Sequence, residues 1–130
     1  MSVLPNDLLK LAKDLLSQAT AEVQFRNVVS RTYYAAYHSA KHFHDALPQP
    51  GKLPGKPTGI HEELAHRLCW PSIPESDVRF QRSREIGRDL RWLHSERTKA
   101  DYRLDMTVTR DSALEVMERA EQLIAKAISP

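Results

Sequence analysis

The sequence predicts an all-α fold, an antiparallel up-and-down bundle of four long helices with one short helix inserted. Three observations point there. Apolar residues recur at helical spacing through four long stretches, no stretch sustains the alternation of a half-buried strand, and a proline- and glycine-rich segment breaks the pattern once, near the middle. A bundle is the economical way to bury four such stripes against one another.

The first helix, about residues 6–20, carries Leu8, Leu11, Ala12, Leu15 and Ala19 on its stripe, and Asn6 or Asp7 is placed to cap its start. The second, about 22–46, shows Phe25, Val29, Tyr33, Ala36, Ala40, Phe43 and Leu47 on one face. Its small residues Ala35, Ala36, Ser39 and Ala40 permit close approach by a neighbour. Another stripe, Asn27, Arg31, Tyr34, His38, Lys41 and Asp45, is polar and aromatic. Residues 48–59 hold four prolines and three glycines and read as a mobile loop, because proline removes backbone donors and fixes φ. A short helix, about 59–70, ends before Pro71. The fourth helix, about 77–98, takes Ser76 or Asp77 as its cap and buries Ile86, Leu90 and Leu93. Residues 100–107 read as a break. Thr109 then caps a last helix, about 110–128, with Leu114, Met117, Ala120, Ile124 and Ala127 as its core stripe.

Composition bounds the class. With 130 residues the natural reading is one domain over 1–130, and 41% apolar with 28% charged residues argues against wholesale disorder. No apolar run approaches the roughly 20 residues that span a bilayer, so no membrane association is expected. The first fourteen residues carry charges at close intervals and show no signal-peptide core. The single cysteine, Cys69, excludes an internal disulfide framework and suits a reducing, cytoplasmic location. A net charge of +2 identifies no polyanion partner by itself, but arginine outnumbers lysine twelve to seven. The stretch 79–97 sets Arg79, Arg82, Arg84, Arg88, Arg91 and Arg97 against Glu85, Asp89 and Glu96. Such a face either is solvated and locally ion-paired or meets phosphate, which the planar guanidinium suits. It could hold a triphosphate as readily as an RNA backbone.

Two stretches together resemble one family. RNVVSRTYYAAYHSA, residues 26–40, is similar to the second-helix pattern of HEPN proteins, an arginine followed by a Tyr-Tyr-Ala-x-x-His run. RTKADY, residues 97–102, resembles the Arg-x-x-x-Asp-Tyr ending of one branch of that superfamily. The resemblance implies an α-helical bundle, often homodimeric, with RNA as the usual partner. Many members are metal-independent ribonucleases acting as toxins or in phage defence, often beside a nucleotidyltransferase. Their chemistry implies attack of a ribose 2′-OH on the adjacent phosphate, with histidine moving a proton and arginine stabilising the phosphorane. No cofactor is implied.

The family signature is an arginine, four to six residues, then a histidine. Arg88 with His94 and Arg31 with His38 satisfy that spacing. Six residues apart on a straight helix diverge by about 120°, and seven apart align but stand roughly 10 Å apart along the axis, so neither is an automatic dyad. The position matching the family's active-site arginine is Arg97, followed here by Asp101 and Tyr102 where active toxins show histidine and tyrosine. Arg97 and Asp101 also read as an ordinary i,i+4 ion pair. His94, three residues before Arg97, is the substitute imidazole. The candidate catalytic set is thus Arg97, His94, Asp101 and Tyr102, and the candidate RNA-binding set is Arg31, Tyr34, His38, Arg84, Arg88 and Arg91. The alternative is a non-catalytic helical module, serving as adaptor, antitoxin or nucleotidyltransferase partner.

Other motifs say less. HEELAH, residues 61–66, places two histidines five apart, diverging by about 140°, so a shared metal is disfavoured. His38, His42 and His44 read as exposed, Cys69 as a small packing residue, and Tyr33 and Tyr37 as packing residues. No glycine-rich phosphate loop precedes a helix.

Overall fold

The structure, a computed structural model, describes residues 3–53, 55–56 and 59–128. Pro54, Pro57 and Thr58 of the 48–59 segment therefore lie outside the described residues. Five helices run in order: α1 Pro5–Gln18, α2 Glu22–Asp45, α3 Ile60–Cys69, α4 Val78–Tyr102 and α5 Arg110–Ile128. There is no strand among the described residues, and no helix there is long and apolar enough to cross a membrane. The N-terminal part of α2 meets the end of α4 through Arg26 and the start of α5 through Phe25, while its C-terminal turns share a cavity with Arg79, Arg82 and Ile128. Helices α2 and α5 thus run one way and α1 and α4 the other, the expected up-and-down order.

Helix α2 is the hub. Its small residues Ala35, Ala36, Ser39 and Ala40 are all buried, which lets α1, α4 and α5 approach it closely. Around it stand Leu9, Ala12 and Leu16 of α1, Ile86, Leu90 and Leu93 of α4, and Val116, Met117, Ala120, Leu123 and Ile124 of α5. Each fully buried Leu or Ile contributes about 1.5–3 kcal/mol relative to exposure. Helix α3 adds Leu64, Ala65 and Leu68 to the same cluster and crosses α4 where Gly87 allows it. A Cβ there would lie 2.7 Å from Cys69 Sγ and 2.9 Å from the Cys69 nitrogen.

The helix phases of α1 and α5 differ from expectation. Leu11 and Leu114, placed on the core stripes by sequence, are exposed, and Leu9, Leu16, Ala113, Val116 and Leu123 are buried instead. Helix α1 has leucines at 8, 9, 11, 15 and 16, so more than one stripe satisfies the helical period, and the neighbours select among them. The start of α1 also differs. Asp7 is not the cap; its carboxylate reaches back to accept the Leu4 N–H at 3.0 Å, with Pro5 pre-set in the first turn. Asp77 and Thr109 cap α4 and α5 as expected, accepting from Arg79 N at 2.9 Å and Ser112 N at 3.1 Å.

Helix α4 runs four residues past its expected end, through Tyr102, because its terminus is capped from another helix. Arg26 of α2 is buried, and its Nη1 donates to the carbonyls of Lys99 (3.2 Å), Ala100 (3.0 Å) and Arg103 (3.2 Å), its Nη2 to that of Met106. Its Nε pairs with Glu22 at 2.8 Å, and Glu22 in turn accepts the Val108 N–H at 2.8 Å. Arg110 of α5 caps α1 similarly, donating to Leu16 O and Ala19 O while covering the Phe25 ring. Cations at helix C-termini meet the negative end of the dipole.

Around Gly51 and Lys52 the chain is less free than the composition of 48–59 implies. Gly51 is buried, its N–H donates to His44 Nε2 at 3.1 Å, and its carbonyl accepts from Arg67 at 2.6 Å. The Lys52 N–H donates to Trp70 O at 2.7 Å. His44, expected to be exposed, is buried here.

Arg26→Ala is expected to lower stability by about 3 kcal/mol or more, since it strands several carbonyls at a buried helix end; urea denaturation measures it. Gly87→Ala is expected to destabilise by about 1–2 kcal/mol, overpacking outweighing the gain in helix propensity. A midpoint unchanged or raised for Gly87→Ala would contradict the close α3–α4 crossing.

Candidate functional site

The only place where several titratable rings and a guanidinium converge among the described residues is the seam of α2, α3 and α4. Tyr33 and Tyr37 are one turn apart on the buried face of α2. Tyr33 OH lies 2.9 Å from His61 Nδ1, and Tyr37 meets the same imidazole edge-on at 4.7 Å. His94 of α4 stacks on His61, with ring centres 5.4 Å apart and planes 19° apart, and stands 5.6 Å from the Tyr33 ring. Burial pushes the Tyr33 phenol well above its ordinary value, so it remains a donor. His61 Nδ1 then accepts, and its ring proton sits on Nε2.

Both imidazoles are held below the ordinary histidine value. For His61 the cause is first desolvation, then the neighbouring His94 and Arg97. For His94 it is desolvation and then Arg97, opposed by Glu62. Near pH 7 both rings are neutral, the state in which an imidazole accepts a proton. His61 and His94 open onto a small cavity of about 220 Å³, shared with Glu62, His66 and Arg91.

Arg97 lies at the other side of Tyr33, its guanidinium carbon 5.9 Å from that ring and 5.6 Å from the ring of Tyr102. Asp101 Oδ2 comes within 2.7 Å of Arg97 Nε and accepts from Ser30 Oγ at 3.3 Å. The Arg97 contact is a charge contact rather than an aligned hydrogen bond, since the buried Nε–H has no acceptor along its own direction. Tyr102 is exposed. Helix α4 therefore brings His94, Arg97, Asp101 and Tyr102 to one region.

The candidate RNA-binding residues divide into two groups. Tyr34 and His38 stack on the surface of α2, ring centres 5.7 Å apart, and His38 meets Tyr37 at 5.4 Å. A ladder of rings thus runs from solvent inward: Tyr34, His38, Tyr37, His61, His94. Arg31 is exposed one turn before Tyr34. Arg84, Arg88 and Arg91 face a separate cavity beside the α3–α4 connection, and Arg91 alone also lines the histidine cavity. Arg88 and His94 do not form a dyad, because α4 is unbroken between them.

His61 is the member that sequence reasoning missed. It was legible only as half of HEELAH, and nothing local says that α3 lays it on Tyr33 and His94. Its motif partner His66 lines the same small cavity and faces Glu62 at 3.6 Å. Among the described residues no group of three or more His, Cys, Asp or Glu side chains is gathered for a metal ion.

The depressed histidines fix the sign of one pH dependence. Below the ordinary histidine value the unfolded chain binds protons that the fold refuses, so the stability contributed by His61, His94 and the likewise desolvated His44 is full above about pH 6.5 and is lost as pH falls through the folded values. Unfolding midpoints are expected to fall between pH 7.5 and 5. NMR titration is expected to give imidazole midpoints for His61 and His94 below 6.5; midpoints at or above that value would contradict the buried, stacked geometry.

No protein-family model, curated protein or solved structure matches this chain.

Proposed function

We propose that the chain is an RNA-directed HEPN protein that cleaves RNA without a metal ion. The observation that carries this reading is the pair of neutral, stacked imidazoles of His61 and His94, opening onto one cavity lined by the Arg91 guanidinium, with that of Arg97 nearby against the Tyr33 ring. Cleavage of a phosphodiester by its own 2′-OH needs a group to take the hydroxyl proton, a group to protonate the departing 5′-oxygen, and positive charge for the phosphorane. Two imidazoles supply the first two functions once an arriving phosphate raises the pKa of one of them. Arg97 and Arg91 supply the third. The exposed Tyr34, with Arg31 and His38, offers a base a stacking platform beside the site. The HEPN resemblance adds homodimerisation, cytoplasmic location, a toxin or defence role and a nucleotidyltransferase partner to the proposal.

One observation favours a second reading, a non-catalytic interaction module. Arg97 is largely occupied by Asp101, Tyr33 and Tyr102, as a structural arginine would be.

Incubation of the protein with tRNA and an unstructured RNA in EDTA separates the two. Cleavage leaving 2′,3′-cyclic phosphate ends is expected, slowed about 10²–10⁴-fold by His94→Ala and by His61→Ala, and lost in Arg97→Ala. Binding without cleavage, weakening steeply with salt, would leave a degenerate RNA-binding member. Neither cleavage nor binding would transfer the function to the interaction module.

A further inference from the structure

A cluster of arginines with no carboxylate partner among the described residues lines a cavity separate from that of the histidines. A cavity of about 640 Å³ opens between the α3–α4 connection and the first half of α4, walled by Trp70, Phe80, Cys69, Arg84, Arg88 and Arg91. The spacing of the three arginines puts them on one face of α4. Lys52 adds a fourth cation at the rim, against a single carboxylate, Glu75.

These arginines differ from most others in the fold. Arg26, Arg67, Arg79, Arg97, Arg103 and Arg119 each sit on a carboxylate. Arg84, Arg88 and Arg91 have no carboxylate partner among the described residues; Arg84 lies 6.0 Å from the Phe80 ring and Arg91 contacts Cys69. Burial pushes the Cys69 thiol up despite them, so the wall holds no thiolate to neutralise. Three guanidiniums converging without a counter-charge repel one another, and an anion placed between them relieves that repulsion.

The second wall is aromatic. Trp70 follows α3 as its C-cap and is 55% exposed, a large apolar residue left open next to the guanidiniums. It is not on a loose turn. The buried Pro71 and Ile73 anchor the chain after it, its carbonyl is tied to Lys52 N, and Ser83 Oγ holds Leu68 O at 2.8 Å just before it. A flat apolar face beside a row of guanidiniums is complementary to a ligand with a flat ring at one end and phosphates at the other.

We propose that this cavity binds a phosphorylated nucleotide unit, its base on the indole of Trp70 and its phosphates on Arg84, Arg88 and Arg91. The unit has two sources, a free nucleoside triphosphate or the phosphorylated end of an RNA strand. The inference goes beyond the cleavage reading and does not require it, because the histidine cluster shares only Arg91 with this cavity.

Calorimetric titration of the full chain with ATP, inorganic tripolyphosphate and a short RNA carrying a 5′-phosphate or a 5′-hydroxyl tests it. Saturable binding of ATP, of the 5′-phosphorylated RNA, or of both is expected, and which of them binds identifies the source. Arg88→Ala is expected to weaken that binding about tenfold or more. Trp70→Ala is expected to weaken the nucleotide about five- to a hundredfold while leaving tripolyphosphate unchanged. Both side chains are exposed, and thermal unfolding checks that the variants keep the fold. No saturable binding of either nucleotide probe below about 1 mM would overturn the proposal, as would nucleotide binding indifferent to both substitutions. Tripolyphosphate binding as tightly as ATP and indifferent to Trp70→Ala would also overturn it, leaving an anion site only. None of these outcomes alters RNA cleavage at His61 and His94, so the two proposals fail separately.

Discussion

One buried guanidinium organises an entire end of the bundle. Arg26 enters from the first turns of α2, meets the end of α4 and the segment that follows it, and is held in line by Glu22, which also fastens Val108. A charge this buried survives because five oxygen-bearing groups surround it. Its contacts set where α4 stops, how the chain turns toward α5, and the height at which α4 presents Arg97 and His94 to α2. The candidate site lies a few turns from this anchor on the same pair of helices, so its register follows from the same contact.

The opposite faces of α4 show two other uses of charge. On the inner side, Asp89 is buried yet paired with Arg119 at 3.0 Å and Lys126 at 2.9 Å, which locks α4 to α5 while Arg119 covers the Trp92 ring. On the outer side, the arginines at 84, 88 and 91 have no carboxylate partner among the described residues. One helix thus ties some of its charges into the fold and leaves others without a carboxylate partner among the described residues, a division that an arginine count alone does not show.

The fold was legible because its signals are local. Helical spacing, the proline- and glycine-rich break, and Asp77 and Thr109 as caps are each decided within a few residues. The errors came where the decision is made at a distance. Leu11 and Leu114 fit a helical stripe, but facing helices chose Leu9 and Val116. The end of α4 moved to Tyr102 because Arg26, 73 or more residues away in sequence from the carbonyls it meets, caps it. On α4 the resemblance of RTKADY pointed to Arg97, Asp101 and Tyr102, and spacing from Arg97 added His94, since one helix carries all four. His61 was not, because its meeting with Tyr33 and His94 depends on how α3 crosses α4 at Gly87.

That crossing has an energetic consequence for the imidazoles. Tyr33 and His94 ride on the long helices α2 and α4, while His61 rides on the ten-residue α3, which adds only Leu64, Ala65 and Leu68 to the same core. The free energy needed to separate His61 from the other two is therefore set by the seam between α3 and α4, by the Tyr33 hydrogen bond and by the tether at Gly51. Global unfolding sets a different and larger scale. A local opening confined to α3 would disassemble the stacked pair and leave the bundle standing.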